Sequence, residues 1–374
     1  MKKIVVLVAA CATGYAGASQ AADAVTLYGV INSGLSFTNN AGGHSQAGAT
    51  SGDIQGSHWG LAGSEDLGGS TRGIFRLESG FNAQTGNSTQ KRLFGFQAYV
   101  GLDDRRLGTL TVGRQYDELS DFVRPSHVPV SNNLGAHPFD NDNLNHGFRV
   151  NNAVKYRATP FDGFQVGALY GFSDATGFSD NRAWSLGARY ATGNWRFAVA
   201  YDSIHAADGG NTGGAITLTD RTFLADTQRI LGASATYLLG AAKINVLWTR
   251  SYFDKLNSIA SLGAPAIARH DDSARFDNYE LNASFPLARA WTLTAAYTLT
   301  AATVKDAGGE HNPRWNDVSL LLQYAFSRRT DFYVEEVYQH LNGDGSGLTA
   351  QISRQSAASG PMQSVVSIGM LHRF

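Results

Sequence analysis

Cysteine is almost absent from this 374-residue sequence: Cys11 is the only one, alongside 3 Met and 8 Pro. A lone thiol excludes an internal disulfide framework, so burial and backbone pairing must hold the fold. No stretch reaches the ~18 uninterrupted apolar residues of a membrane-crossing helix, which excludes helical spans. Neither charge sign is in excess, with 30 basic against 31 acidic side chains. Nothing therefore suggests the basic footprint of a nucleic-acid binder, and no nucleic-acid partner is expected. Scarce Met, 42 Gly and 11% aromatics argue against a helical bundle and against disorder. With 43% hydrophobic residues and a mean hydropathy of -0.20, what remains is a large all-β chain.

The first residues read as an export signal. Lys2 and Lys3 precede the apolar run Ile4 to Ala10, and Ser19 and Ala21 stand at the -3 and -1 positions of a cleavage site. Cleavage after Ala21 makes 1-21 a signal peptide and 22-374 a single β domain. It also removes the only Cys, leaving 28 basic and 31 acidic residues.

Beyond it the side chains alternate. Val25, Leu27, Ile31, Leu35 and Phe37 share one parity, while Thr26, Tyr28, Asn32 and Ser36 share the other. Successive strand residues face opposite sides, so this is a strand with one apolar and one largely polar face. The pattern recurs at Phe75, Leu77 and Phe81 against Arg76 and Glu78, and at Val154 and Tyr156 against Lys155 and Arg157. It runs to the last residue, where Val366, Ile368, Met370 and Phe374 share a parity. Short turns such as Asp66-Leu-Gly-Gly69, Asp162-Gly163 and Gly193-Asn194 alternate with longer polar stretches: 39-56, 208-214, 255-272 and 342-360. A soluble sandwich also alternates. Segments of about ten residues with aromatics near their ends match instead a bilayer-crossing strand, which can exist only in a closed barrel.

Several segments then resemble one family. Val25-Thr-Leu-Tyr-Gly-Val30, Trp59-Gly-Leu-Ala-Gly-Ser-Glu-Asp-Leu-Gly-Gly69, Leu77-Glu-Ser-Gly-Phe81, Val112-Gly-Arg-Gln-Tyr-Asp117, Asn141-Asp-Asn-Leu-Asn145 and His372-Arg-Phe374 are similar to the general-diffusion porins of Gram-negative outer membranes, in the branch typical of betaproteobacteria. The resemblance implies a transmembrane antiparallel β-barrel of 16 strands and a homotrimer. It also implies a third external loop, about 116-145, folded into the lumen. Such a channel passes ions and small hydrophilic solutes passively, filtered by size and charge. Its partners would be outer-membrane lipid, the barrel-assembly machinery, for which Phe374 is the signal, and the solutes themselves. Neither an enzymatic role, a cofactor nor a metal is expected.

The constriction of such porins sets loop carboxylates against a basic wall, and fixed charge biases which ions enter. Here the loop carries Asp117, Glu118, Asp121, Asp140 and Asp142 against Arg124, with Asp121, Asp140 and Asp142 the expected acidic side. The wall positions are His58, Arg76, Glu78, Phe96, Lys155 and Arg157. His58, Ala62 and Phe96 stand where the family usually has Arg or Lys. The expectation is a net acidic constriction, less anion-selective than relatives with the full ladder, in which His58 charges as pH falls below ~6.5. The nearest rival is a substrate-selective sugar or anion channel. Clustered basic residues are missing, and Tyr28 is the one plausible lumenal aromatic of the first strand.

Overall fold

A computed structural model describes residues 24-127, 134-176, 178-205, 213-217, 220-261, 264-343 and 346-374. The expected signal peptide, 1-21, lies outside them. Eighteen strands follow in order: β1 (Ala24–Ala41), β2 (His44–Ser51), β3 (His58–Asp66), β4 (Thr71–Gly80), β5 (Gln97–Asp104), β6 (Gly108–Gln115), β7 (Val150–Phe161), β8 (Phe164–Gly171), β9 (Arg182–Thr192), β10 (Trp195–His205), β11 (Phe223–Leu239), β12 (Ala242–Ser261), β13 (Ala264–Pro286), β14 (Trp291–Asp306), β15 (Gly309–His311), β16 (Arg314–Ala325), β17 (Thr330–Asn342) and β18 (Met362–Arg373).

Each wall strand pairs antiparallel with its sequence neighbour, and β18 returns to β1 with Val30 opposite Arg373 and Thr38 opposite Val365. The sheet therefore closes on itself. Sixteen of the strands make the wall; β2 occupies the place above β3 beside β1, and β15 is a short hairpin arm on β14. Closure satisfies every ladder position without an edge, which a lipid environment demands. Phe374 completes it: its N–H donates to the Gly29 carbonyl and its carbonyl accepts from Gly29 N–H, both at 3.1 Å. Gly29 has no room for a side chain there, since a Cβ would stand 2.5 Å from the Phe374 ring and 2.7 Å from the His58 carbonyl.

The alternation decides which face meets what. Val25, Leu27, Leu35, Val100, Val112, Val199, Leu281, Val334 and Ile368 all point outward and are exposed on the isolated chain. These are the lipid-facing positions of a barrel. Rings gather beside the short turns. Phe161 stacks on Phe164 with centroids 4.7 Å apart, Trp195 meets Tyr237 at 4.7 Å, and Trp291, Tyr324, Phe326 and Phe332 form a row with spacings of 4.8 to 5.4 Å. This is an aromatic girdle at one rim.

Short turns occupy that rim and the long loops the other. Two of the long polar stretches are corrected: 39-56 holds the tip of β1 and all of β2, paired as a hairpin, and the described residues of 255-272 are also strand. The stretch 255-272 is not a polar loop, because β12 and β13 extend through it, with Phe253 opposite Ala274, Leu256 opposite Asp272 and Ile259 opposite Ile267, interrupted by bulges. Apolar side chains inside the mouth explain the extension: Phe253, Leu256, Ile259 and Phe276 are buried together with Phe223 and Trp315.

Candidate functional site

The described parts of the loop joining β6 to β7 (116-127 and 134-149) turn into the barrel and lie along the inner wall. Its first part coils over 119-123 and 124-126, and a single turn forms at 138-140. Leu119, Phe122, Val123, Leu144 and Phe148 bury themselves against Ala183, Ala200, Ile230 and Leu247 of the wall. The wall makes room with glycine. A Cβ on Gly187 would stand 2.4 Å from Phe122, and one on Gly232 would stand 2.7 Å from Leu119. Farther along, Leu134 packs with Val337, Ile352 and Val365, and Phe139 joins Trp315, Leu341, Leu348 and Ala350. The last long loop thus folds into the mouth and rests on the infolded one.

Polar contacts fix the loop more specifically. Asn282 Nδ2 donates to the Ser126 carbonyl at 2.8 Å, and Asn278 Nδ2 donates to Asn141 Oδ1 at 2.9 Å. At the centre, Glu280 Oε2 accepts from His127 Nδ1 at 2.5 Å and from His137 Nε2 at 2.9 Å. The other nitrogen of His137 donates to Asp142 Oδ2 at 2.6 Å. With a carboxylate on each nitrogen, His137 must carry both protons and is an imidazolium. Burial alone would lower its pKa, but Asp142 and Glu280 outweigh burial and push it up to about 10. All four side chains are buried.

His127, His137 and Glu280 are also the one set of potential metal ligands among the described residues, their ligand atoms lying within 4.8 Å of one another. Two ligands on a tetrahedral zinc stand roughly 3.3 Å apart. The separations of 2.5 and 2.9 Å here are those of hydrogen bonds with protons between them, so the cluster fits a proton-filled latch better than a metal centre.

The structure places the expected acidic side differently from the sequence. Asp142 is fully buried against the wall, where it also accepts from Thr249 Oγ1 at 2.5 Å, and it does not line the lumen. Asp140 is half-buried and takes the backbone N–H groups of Asn145 at 2.9 Å and Gly147 at 2.7 Å, tying a turn in which Phe139, Asp140, Asn143 and His146 all have positive φ. Burial and then Asp142 push its pKa up to about 7. Asp117 caps Ser120 N at 2.8 Å and accepts from Asn143 Nδ2 at 2.6 Å. Asp121 is clasped by Lys155 and Arg157 together, while buried Glu118 lies 3.7 and 3.6 Å from the same two cations. Lys155 and Arg157 are therefore not an opposing wall; they anchor the start of the loop.

The rest of the constriction is built from wall residues and from cations and rings of the loop itself. Arg76 lies over the Tyr28 ring at 5.7 Å, and Tyr28 Oη donates to Glu78 Oε2 at 2.7 Å, so Arg76 and Glu78 do not pair directly. His58 sits between Tyr28 and Phe96, 6.5 and 5.9 Å from their rings, with Nδ1 at 2.8 Å from the Gly56 carbonyl. The guanidinium of Arg149 is held between Phe96 at 4.6 Å and Tyr116 at 5.3 Å, and Tyr116 stacks on His146 at 4.0 Å. Phe96, where the resemblance implied a cation, is the platform for one. Among the described residues neither Arg76, Arg149 nor Arg124 forms an ion pair within 4.0 Å; Arg124 Nε donates instead to the Leu144 carbonyl at 2.9 Å. Sequence reasoning passed over Glu280, His127 and Arg149. Glu280 was findable, since it shares the inward parity of Asn278 and Asn282.

Comparison with known proteins agrees with this architecture. The family model described as Gram-negative porin matches residues 6–346. An outer membrane porin protein of Bordetella pertussis is 31% identical, covering 90% of this chain and 94% of its own. Among solved structures, the anion-selective porin from Comamonas acidovorans superposes with a TM-score of 0.73 at 23% identity, covering 94% of this chain and 100% of that one. The trimer form of OmpT from Vibrio cholerae gives 0.66 at 17%, over 94% and 100%. A closed sixteen-strand wall, an apolar outer band and a loop docked inside the lumen accompany these matches, and the chain belongs to the Gram-negative porin family, forming a diffusion channel in the outer membrane.

Proposed function

We propose that this channel is a homotrimeric general-diffusion porin whose constriction favours small anions. One observation carries the reading: all five acids of the infolded loop are buried, capped or clasped, whereas Arg76, Arg124 and Arg149 form no ion pair within 4.0 Å among the described residues. This reverses the net acidic constriction expected from the sequence. Counting loop acids overstated the lumenal negative charge, because most of them face the wall. Fixed positive charge in a narrow low-dielectric passage raises local anion concentration. The trimer is supported by the family and by the relative solved in trimer form.

Zero-current potentials across planar bilayers under a KCl gradient at pH 7.5 test the selectivity, with the chloride side of the equilibrium expected to dominate. Clear potassium preference would overturn it. Heat-resistant oligomers in detergent gels test the trimer.

Asp140 adds a pH dependence. Its pKa of about 7 lies above the usual 3.8, so the folded loop holds this proton more tightly than the unfolded chain does. Falling pH therefore favours the docked loop and, through about 7, removes one negative charge. Anion preference is expected to rise between pH 8 and 6, and Asp140→Asn should abolish that rise. An identical pH profile in the variant would assign the titration elsewhere.

A second reading has its own support. Tyr28, His58, Phe96, Tyr116 and His146 form a row of rings bridged by Arg149, longer than the lone Tyr28 visible in sequence. Faster liposome swelling with sugars than with size-matched linear polyols would favour a substrate-selective channel.

A further inference from the structure

Beneath the infolded loop, on the short-turn side, the lumen keeps a chamber of about 600 Å³ between the loop and the inner wall of β7 to β12. Its roof is apolar, made by Phe122 and Pro125. Its wall is cationic: Arg189, Arg196 and Lys243 all border it, and among the described residues no bordering one is acidic. None of the three forms an ion pair among the described residues. Their positions are set locally. Arg189 lies 5.9 Å from the Phe122 ring, Lys243 Nζ donates to the Pro125 carbonyl at 3.0 Å, and Arg196 donates to the Gly193 and Trp195 carbonyls at 2.9 and 2.8 Å.

We propose that this chamber is a binding subsite for small organic anions with an apolar body, the aromatic carboxylates being the best fit. The inference deepens the anion-favouring reading above and rests on it. A carboxylate needs charge-assisted donors, which the two arginines and the lysine supply, while Gln165 offers a neutral polar partner at the same wall. The remainder of the ligand needs a surface from which water is readily displaced, and Phe122 with Pro125 provides one. Planar rings also stack on guanidinium groups, so Arg189 can meet the ligand by its face as well as by its N–H edge. Chloride feels the same field but has no apolar body to bury. It should pass, whereas an arylcarboxylate should linger and interrupt the current. The volume lies within the range of ordinary small-molecule sites.

Access differs between the two sides. A solute from the short-turn side, which faces the periplasm in such barrels, enters the chamber directly, whereas one from the loop side must first cross the constriction.

The test is single-channel recording of the intact porin in KCl, with benzoate added to one side at a time. Benzoate on the short-turn side is expected to produce brief interruptions at lower concentration than acetate, and benzyl alcohol and benzylamine to produce none. In Arg189→Gln/Lys243→Gln, the half-blocking concentration should rise roughly tenfold, the loss of about one charge-assisted contact. Arg196→Gln, an exposed position next to a turn, is the second variant and should move it in the same direction by less. Absent interruptions, or interruptions equal in wild type and both variants, overturn the subsite. Conductance steps and the KCl zero-current potential are read in the same recordings. A channel that conducts and prefers chloride but ignores benzoate refutes the subsite alone, and one that prefers potassium refutes the selectivity beneath it.

Discussion

Glu280→Gln is expected to loosen the infolded loop, lowering thermal stability in detergent and turning a quiet channel into a noisy one. Glu280 Oε2 is the shared acceptor of His127 and His137, and Asn282 Nδ2 donates to its other oxygen at 2.5 Å. Glutamine keeps the shape but removes the charge opposite a buried imidazolium. Breaking a buried pair from one side costs about 3–5 kcal/mol. The pH dependence carries the diagnostic sign. His137 has a folded pKa of about 10 against 6.5 unfolded, so its stabilisation is complete below 6.5 and drains away as pH rises toward 10. With Glu280 gone, one of the two carboxylates that raise this pKa is lost, so the decline, which still starts near 6.5, should be smaller and finish at lower pH. Melting curves from pH 6 to 10, read by circular dichroism, check both effects. Wild-type melting in the variant would mean that the apolar seat of Phe122 and Leu119 holds the loop by itself.

The second large effect concerns the cations. Arg76→Gln combined with Arg149→Gln should carry the zero-current potential from chloride toward potassium. A unit charge about 4 Å from a passing ion is worth about 4 kcal/mol at an effective dielectric of ~20. If a third of that survives screening, each guanidinium changes ion partition by roughly tenfold. Arg149→Lys is the informative control. Lysine keeps the charge but not the planar stack between Phe96 and Tyr116, so selectivity should persist even if stability falls. An unmoved potential in the double variant would leave Arg124 as the controlling charge, and the assignment to Arg76 and Arg149 would fail.

How much of this was legible beforehand follows from what each feature depends on. The barrel was readable because a period of two is local: Val25, Leu27 and Leu35 declare their face without reference to anything distant. The turns were readable for the same reason, since Gly163 and Gly193 carry their own backbone conformation at φ 77 and 52. The long β12–β13 arm was not, because its strands are held by burial against Phe223 and Trp315, which the local polar sequence does not announce. The constriction was least legible. Asp140 and Asp142 were visible as residues, but their destinations depend on His137, Thr249 and backbone donors. His127 and Glu280 are 153 positions apart, and no local pattern encodes their meeting. Phe96 misled in a different way: the cation absent at that position is supplied by Arg149, which comes from the end of the infolded loop and lies over the ring.

The bond between Phe374 and Gly29 has a consequence for biogenesis. Its partners are separated by nearly the whole chain, and contacts of such sequence separation form late. Until β18 has arrived, β1 and β17 each present a row of unsatisfied donors and acceptors, the condition that templates pairing with other chains. The barrel therefore cannot mature progressively from its first strand. A copy in which β18 has not yet paired keeps two open seams, and one lacking that strand is expected to aggregate rather than close.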